Sequence, residues 1–580
     1  MGFRGLDTRS TKPTLADSRA SDLKNVILSP ALDLRQRFGY SIINDTVDDL
    51  WLTQEAVTGI FDAVYSDATS WTYAFVGDKV KYDNSGTWTD ISFPANLTAG
   101  QDNQFLCIMA LDTAICTNDV DVPLQINSTP VKSDLLLAGL SDTLTKARTV
   151  VWFRNYLIFG NTVEATVERP TRFRWSNVGT TETYSDDDFV DISTFAGDEI
   201  IGFAEIYGDL YIFLTNSIWK ASLVGGDDVF VFRKVIDNIG AIATHAIQII
   251  NLSDNRSAVI FTDEKKRILM FNGATVTDIG NIIQPTLNGL SEARIQYAVG
   301  TWDSTQYIYC ATLSGSSIND ICYTFQTEIG EWTTWTQIDA NAIAQVKESD
   351  NTIKTYFGNY ESFVYWIANT DNKNDVVGQT GIVDSVGVID TTTITGAQAI
   401  ITSDLADESY TGAIIRITSG TAAGQEAIIA TNLTGDTGLA VMTAFSTTPD
   451  STSVFSIGDI DAYYTAKPYD YGDASREKDF LGMIMWAAEA SNTAVDVSYA
   501  IDFGSTEESE TIDLSPSGSS LWDTALWDDG TWGTTGDKIY TKKMRGTGNV
   551  LEPKFQNNSI DSSFQIYGYN LLSIGGDTKQ

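Results

Sequence analysis

Histidine is almost missing from this 580-residue chain: His245 is the only one. No site within one chain can therefore use several histidine ligands, and a Ser-His-Asp arrangement would have to be built on His245. Its surroundings, "GAIATHAIQII", read as strand. Cysteine is scarce, with Cys107, Cys116, Cys310 and Cys322, and no CxxC pair is present. Each lies in or beside an apolar, strand-like run, so buried free thiols are expected, not a disulfide framework or a zinc site. Positive charge is also short, with 37 basic against 76 acidic side chains and a net charge of -39. Tight binding to nucleic-acid phosphates over the whole surface is therefore not expected, because such contacts need Lys and Arg. An acidic wall does allow DNA to pass without sticking. No run of about 18 apolar residues is present, so no membrane-spanning helix is expected. The polar start, "MGFRGLDTRSTKPT", has no apolar signal core.

Helical periodicity is equally sparse. The best candidate is a short helix over Leu15 to Val26. Elsewhere the chain alternates with period two and is broken by Gly, Asn and Asp, the pattern of an all-β protein. Aromatic residues make up 11% and hydrophobic residues 43%, ample for large cores. By length alone the chain corresponds to about four domain-sized units.

Between residues 50 and 372 one unit recurs. A short apolar strand is followed by a turn and then by a strand rich in Tyr, Phe or Trp. Instances are "SWTYAFVGDKVKYDNSGTWTDIS", "ARTVVWFRNYLIFGN", "IIGFAEIYGDLYIFLTNSIWKAS", "SAVIFTDEKKRILMFNGATVTDIG", the stretch from Tyr297 to Thr336, and "TIKTYFGNYESFVYWIAN". A unit of roughly 40–50 residues fits a three- or four-stranded sheet that cannot bury both faces alone, so six or seven packed radially make a β-propeller-like body. The apolar strands "LYIFL" and "YIYCA" are expected innermost. Residues 1–49 read as an N-terminal arm. Residues 373–460, poor in aromatics, read as a small inserted β-barrel or sandwich. Residues 461–580 read as a C-terminal β-sandwich.

Three stretches invite chemistry. "RPTRFRWSNVGTTETYSDDDFVDI" joins Arg172 and Arg174 to Asp186, Asp187, Asp188 and Asp191. Consecutive carboxylates in a strand point to opposite faces, and the Gly and distal Glu of an EF-hand are missing, so a solvated turn is expected and no metal site is assigned. "SGTAAGQ" lacks the Lys-Ser/Thr ending of a phosphate loop and reads as a β-turn. "LWDTALWDDGTWG" carries Trp522, Trp527 and Trp532 at five-residue spacing, candidate glycan contacts through ring stacking. No catalytic residue and no cofactor is assigned. Arg4, Arg9, Arg35 and Arg37 make the N-terminal segment mildly basic, and they are the candidate contacts within or between copies.

The segment "GLDTRSTKPTLADSRASDLKNVILSPALDLRQRFGY" resembles the N-terminus of tailed-bacteriophage propeller proteins of the tail nozzle, or tail tubular protein B, type. Gly5, Leu6, Thr8, Arg9, Leu23, Asn25, Val26, Arg37, Gly39 and Tyr40 fit its pattern, and Asp7 replaces the usual Asn. "RPTRFRWSNVG…DEIIGFAEIYGDLYIFLTNSIWKA" resembles a blade of the same proteins, with the acidic cluster in an inter-strand loop and Arg172 and Arg174 on one face of a strand. The stretch Ala427 to Gly458 is similar to an insert domain of phage structural proteins.

The resemblance implies a non-enzymatic virion protein located in the tail and assembled in the host cytoplasm. It implies a homo-oligomeric ring, a hexamer, that contacts the tail adaptor and tail fibres or a tail plug or needle. Genomic double-stranded DNA would pass through during ejection without specific binding. The alternative is a receptor-binding or glycan-degrading tail protein. A bacterial surface propeller with calcium in its loops is a third reading.

Overall fold

The computed structural model describes residues 2–43, 55–91, 96–193, 197–226, 229–252, 256–348, 350–368, 373–388, 398–401, 405, 409–432, 438–490, 493–504, 506–515 and 537–575. Its architecture is all-β. The one α-helix among the described residues, Gln284–Leu287, is a single turn. Two compact units divide the chain: one of residues 42–328 and 337–367, the other of residues 1–41, 329–336 and 368–580.

The first unit is a seven-bladed β-propeller. Seven antiparallel sheets follow one another along the chain, and their first strands are Val57–Val64, Leu106–Ala110, Leu144–Phe153, Ile200–Ile206, Gln248–Asn251, Val299–Trp302 and Ala342–Lys347. Each first strand lies beside the next, and the seventh lies beside the first, so the sheets close a ring. Apolar side chains fill the wedges between neighbouring blades. The closing wedge packs Val57, Ala74 and Val76 against Ala342, Val346, Tyr356 and Val364. The Ile43 amide donates to the Val364 carbonyl at 2.9 Å, so chain from before the first blade is bound to the last.

The expected inner strands prove to be second strands. "LYIFL" lies in Asp209–Leu214 and "YIYCA" in Gln306–Ala311, each second in its sheet and buried along nearly its whole length. A second strand is hydrogen-bonded along both edges and covered on both faces by neighbouring blades, so every position favours an apolar residue. First strands crowd the axis. A Cβ on Gly202 would sit 2.7 Å from Ile247 Cδ1, and one on Gly300 would sit 2.6 Å from the Tyr307 hydroxyl.

Two corrections concern cysteine and helix. Cys107 and Cys116 face each other across the first two strands of the second blade, and Cys310 and Cys322 across the second and third of the sixth. Each pair is a disulfide, so the thiols are not free. The helix expected over Leu15 to Val26 is replaced by the strand Ala20–Lys24, paired with Ala462–Ala466, because tertiary pairing overrides a weak local preference.

In the second unit, residues 1–41 are integral and not a detached arm. Ala20–Lys24 edges a five-stranded sheet with Ala462–Ala466, Leu551–Asn557, Ala494–Ile501 and Thr506–Asp513. Val26–Leu28 and Leu34–Gln36 edge a six-stranded sheet with Gln565–Gly575, Lys478–Ala488, Asp537–Lys543 and the short Thr547–Gly548. Phe3 joins the two sheets, with ring centroids 5.0 Å from Tyr464, 5.9 Å from Phe555 and 5.5 Å from Tyr569. Residues 379–457 form a separate seven-stranded sheet. Ile400, Ile415, Ile429, Leu439 and Phe455, from five of its strands, share one core, which requires the sheet to curl on itself.

Candidate functional site

The arginine and aspartate stretch of the third blade resolves into a closed ion network. Arg172 and Arg174 alternate along Val167–Trp175 and so share a face. Glu164, at the end of the preceding strand, receives Arg174 Nε and Nη2 at 2.7 and 2.9 Å and Arg172 Nη1 at 2.7 Å. Arg172 also grips Asp191 through Nε and Nη2, both at 2.9 Å. The Phe189 ring lies under both guanidiniums, 3.7 and 5.0 Å from its centroid. Burial alone would raise the Glu164 pKa. The hydrogen bonds and charges of Arg174 and Arg172 outweigh it and hold the carboxyl below its ordinary value.

Asp186, Asp187 and Asp188 occupy the loop before Phe189–Asp191. There Asp186 accepts the Ser141 amide at 2.6 Å, and the Asp188 carbonyl accepts the Trp175 amide at 3.1 Å. Among the described residues, no three His, Cys, Asp or Glu side chains converge as metal ligands. "SGTAAGQ" is a turn with Gly420 and Gly424 at positive φ, and the strand Glu426–Asn432 follows it.

The N-terminal arginines divide. Arg37 is buried in its own unit, where Nη1 and Nη2 meet the two Asp375 oxygens at 2.8 and 2.6 Å and Nε meets Asn25 Oδ1 at 3.0 Å. It is therefore a contact within the copy and not an exposed one between copies, since sequence proximity to exposed arginines says nothing about its burial. Arg35 is part-exposed and pairs with Asp33 at 2.9 Å, while Arg4 reaches Glu331 at 3.6 Å. Arg9 is exposed. Trp522, Trp527 and Trp532 lie outside the described residues.

Around the propeller axis, polar loop side chains stitch blades together, neighbours and non-neighbours alike. Gln104, just before the second blade, donates through Nε2 to the Asn341 carbonyl at 2.9 Å and the Tyr297 carbonyl at 3.1 Å. Asn341, just before the seventh blade, donates to the carbonyls of Val57 and Gln101 at 3.1 and 3.0 Å. Asn319 donates to those of Tyr297 and Ala340 at 3.1 and 2.9 Å.

Gln104 and Tyr297 also border a cavity of about 280 Å³. Asp102, Gln104, Asn118, Asp119, Arg148 and His245 line it, with Gln296 and Tyr297. Two of its charges are already held: Asp102 pairs with Arg294 at 2.7 Å and Arg148 with Glu199 at 2.9 Å. Asp119 is in the left-handed region, φ 64°. Burial raises its pKa, against the opposing charges of Arg148 and Lys146. His245 sits on the 3-10 turn Thr244–Ala246, not on a strand. Burial pushes its pKa down to about 4, with the Gln104 backbone opposing and the Arg148 charge assisting, so the ring is neutral. None of these lining residues except His245 stood out in the sequence. Their only local signal is a polar side chain at the end of a blade strand.

No family model and no curated protein matches the chain. Among solved structures, the extracellular domain of a hybrid two component system from B. thetaiotaomicron aligns over 79% of this chain and 60% of its own, with 8% identity and TM-score 0.37. A second such domain from the same organism aligns over 74% and 51%, with 7% identity and TM-score 0.38. The chain thus spans about half to three fifths of these two proteins. The Pan2 WD40 domain of Neurospora crassa aligns over 59% of this chain and 98% of its own, with 6% identity and TM-score 0.33. The assignment of a propeller rests on the sheet order and ring closure described above.

Proposed function

We propose that this protein is a structural component of a bacteriophage tail, the nozzle that forms the distal DNA-exit tube below the portal adaptor. The observation that carries the reading is the N-terminal segment from Gly5 to Tyr40, whose sequence resembles that of tail nozzle proteins. Its matching residues have architectural work in this chain. A Cβ on Gly5 would lie 2.6 Å from the Trp332 carbonyl oxygen, and one on Gly39 would lie 1.7 Å from that of Asn374. Arg37 is sealed against Asp375, and Asn25 takes the Thr336 amide at 2.9 Å. The net charge of -39 supports the same role, because a DNA conduit has to repel phosphate and not bind it. In this reading copies form a ring, a hexamer, that docks on the tail adaptor and presents its far end to fibres or a plug. The work is assembly, not catalysis.

Immunogold electron microscopy of particles from the source culture tests the proposal. Label confined to the tail tip, beyond the collar, is the expected result. Label on lateral fibres would move the protein to receptor binding. No label on any particle would end the virion reading.

A further inference from the structure

The axial cavity of the propeller has unspent chemistry, and it is that of a hydrogen-bond acceptor. Asp119 has no hydrogen-bond or ion-pair partner for its carboxylate among the described residues. Gln104 is only 7% exposed. Its Nε2 is committed to backbone carbonyls, while Oε1 has no donor among the described residues. Gln104 lines the cavity, so its amide oxygen is open to a donor from a ligand.

The charges select the kind of donor. Asp102 and Asp119 against Arg148 leave the lining one net negative charge, because His245 is neutral. An anion finds no free cation, since Arg148 is already held by Glu199. A metal finds no set of three ligands among the described residues. At about 280 Å³, the space is at the small end for organic ligands and has room for a short-chain molecule with water beside it.

We propose that the axial pocket binds a small organic cation, a primary ammonium on a short alkyl chain, seated on the Asp119 carboxylate and Gln104 Oε1. The ammonium has three donors and one charge. The carboxylate and the amide oxygen use two of the donors, and the neighbouring Gln296 and Thr244 offer oxygens for the third.

Calorimetric titration of the full chain with methylammonium and ethylammonium in amine-free buffer tests this. Saturable binding is expected from both, with none from ethanol and none from sodium at equal ionic strength. Asp119→Asn keeps the shape and suits the left-handed backbone, so it should fold and weaken binding by about tenfold or more. Asp187→Asn, an equal charge loss in the exposed loop of the third blade, should leave binding unchanged. No saturable heat from either amine, equal heat from sodium, or equal affinity in Asp119→Asn would each overturn the proposal. The amine and sodium comparisons on the unaltered chain decide it even if the variant does not fold.

Discussion

Arg37 and Asp375, 338 positions apart, meet at 2.6 Å with each side chain 1% exposed. The pair fastens the N-terminal segment to the start of the inserted sheet. The Tyr40 amide adds a third donor to Asp375 at 3.3 Å. Arg37→Met leaves the carboxylate buried without its cation. It should destabilise the protein by about 3–5 kcal/mol in urea unfolding. Replacing both partners with apolar residues should recover much of that loss, because the desolvation cost goes with the charges.

Glu164 carries two guanidiniums at once, with Glu164, Arg172 and Arg174 all less than a tenth exposed. Glu164→Gln should cost a similar ~3–5 kcal/mol. The folded pKa of Glu164 is depressed below its ordinary 4.5. Its contribution is therefore complete above pH 4.5 and lost as the pH falls through the lower folded value. Unfolding free energies of the variant and the unaltered chain should converge in acid and differ most near neutrality.

His245 should dominate a second pH window. With a folded pKa of about 4 against 6.5, the unfolded chain binds a proton that the folded chain refuses. Stability therefore rises with pH across that interval and is lost as pH falls through it. By pH 5 the loss amounts to about 2 kcal/mol relative to neutral pH. His245→Gln should remove that part of the slope between pH 7.5 and 5, measured by urea unfolding at fixed ionic strength.

The two disulfides should differ in access. Cys310 and Cys322 are both fully buried, whereas Cys107 is part-exposed beside the buried Cys116. Under mild reductant without denaturant, Cys107–Cys116 should open first, as read by differential alkylation and mass spectrometry. Each bond closes a short loop, separations 9 and 12, so losing either should cost about 2–3 kcal/mol in the chain-entropy account.

Much of the fold is legible in the residues. Strict alternation, as in Ala494–Ile501, marks strands with one covered face, and unbroken apolar runs such as "YIYCA" mark strands covered on both. Repetition of that pattern is enough to infer a radial array of sheets. The second blade escapes the pattern because its strands are short and lack the Tyr, Phe and Trp of the others. The candidate site is less legible. Gln104, Asp119 and Asn341 are ordinary loop residues until ring closure brings the ends of several blades to one axis.

The sequence by itself determined the all-β class, the acidic balance and the recurring sheet, because period-two patterning and charge are local properties that any strand of this composition must express. Tertiary structure alone decided the rest. It settled that the ring closes at seven, that the most apolar strand is second and not first, and that cysteines nine and twelve residues apart face each other across paired strands. It also settled that the first strands belong with partners more than 400 residues away. The physical reason is common to all of them. A strand's edge carries the same N–H and C=O groups whatever its sequence, so register, partner and closure are chosen by how many apolar faces can be buried at once, a property of the whole chain.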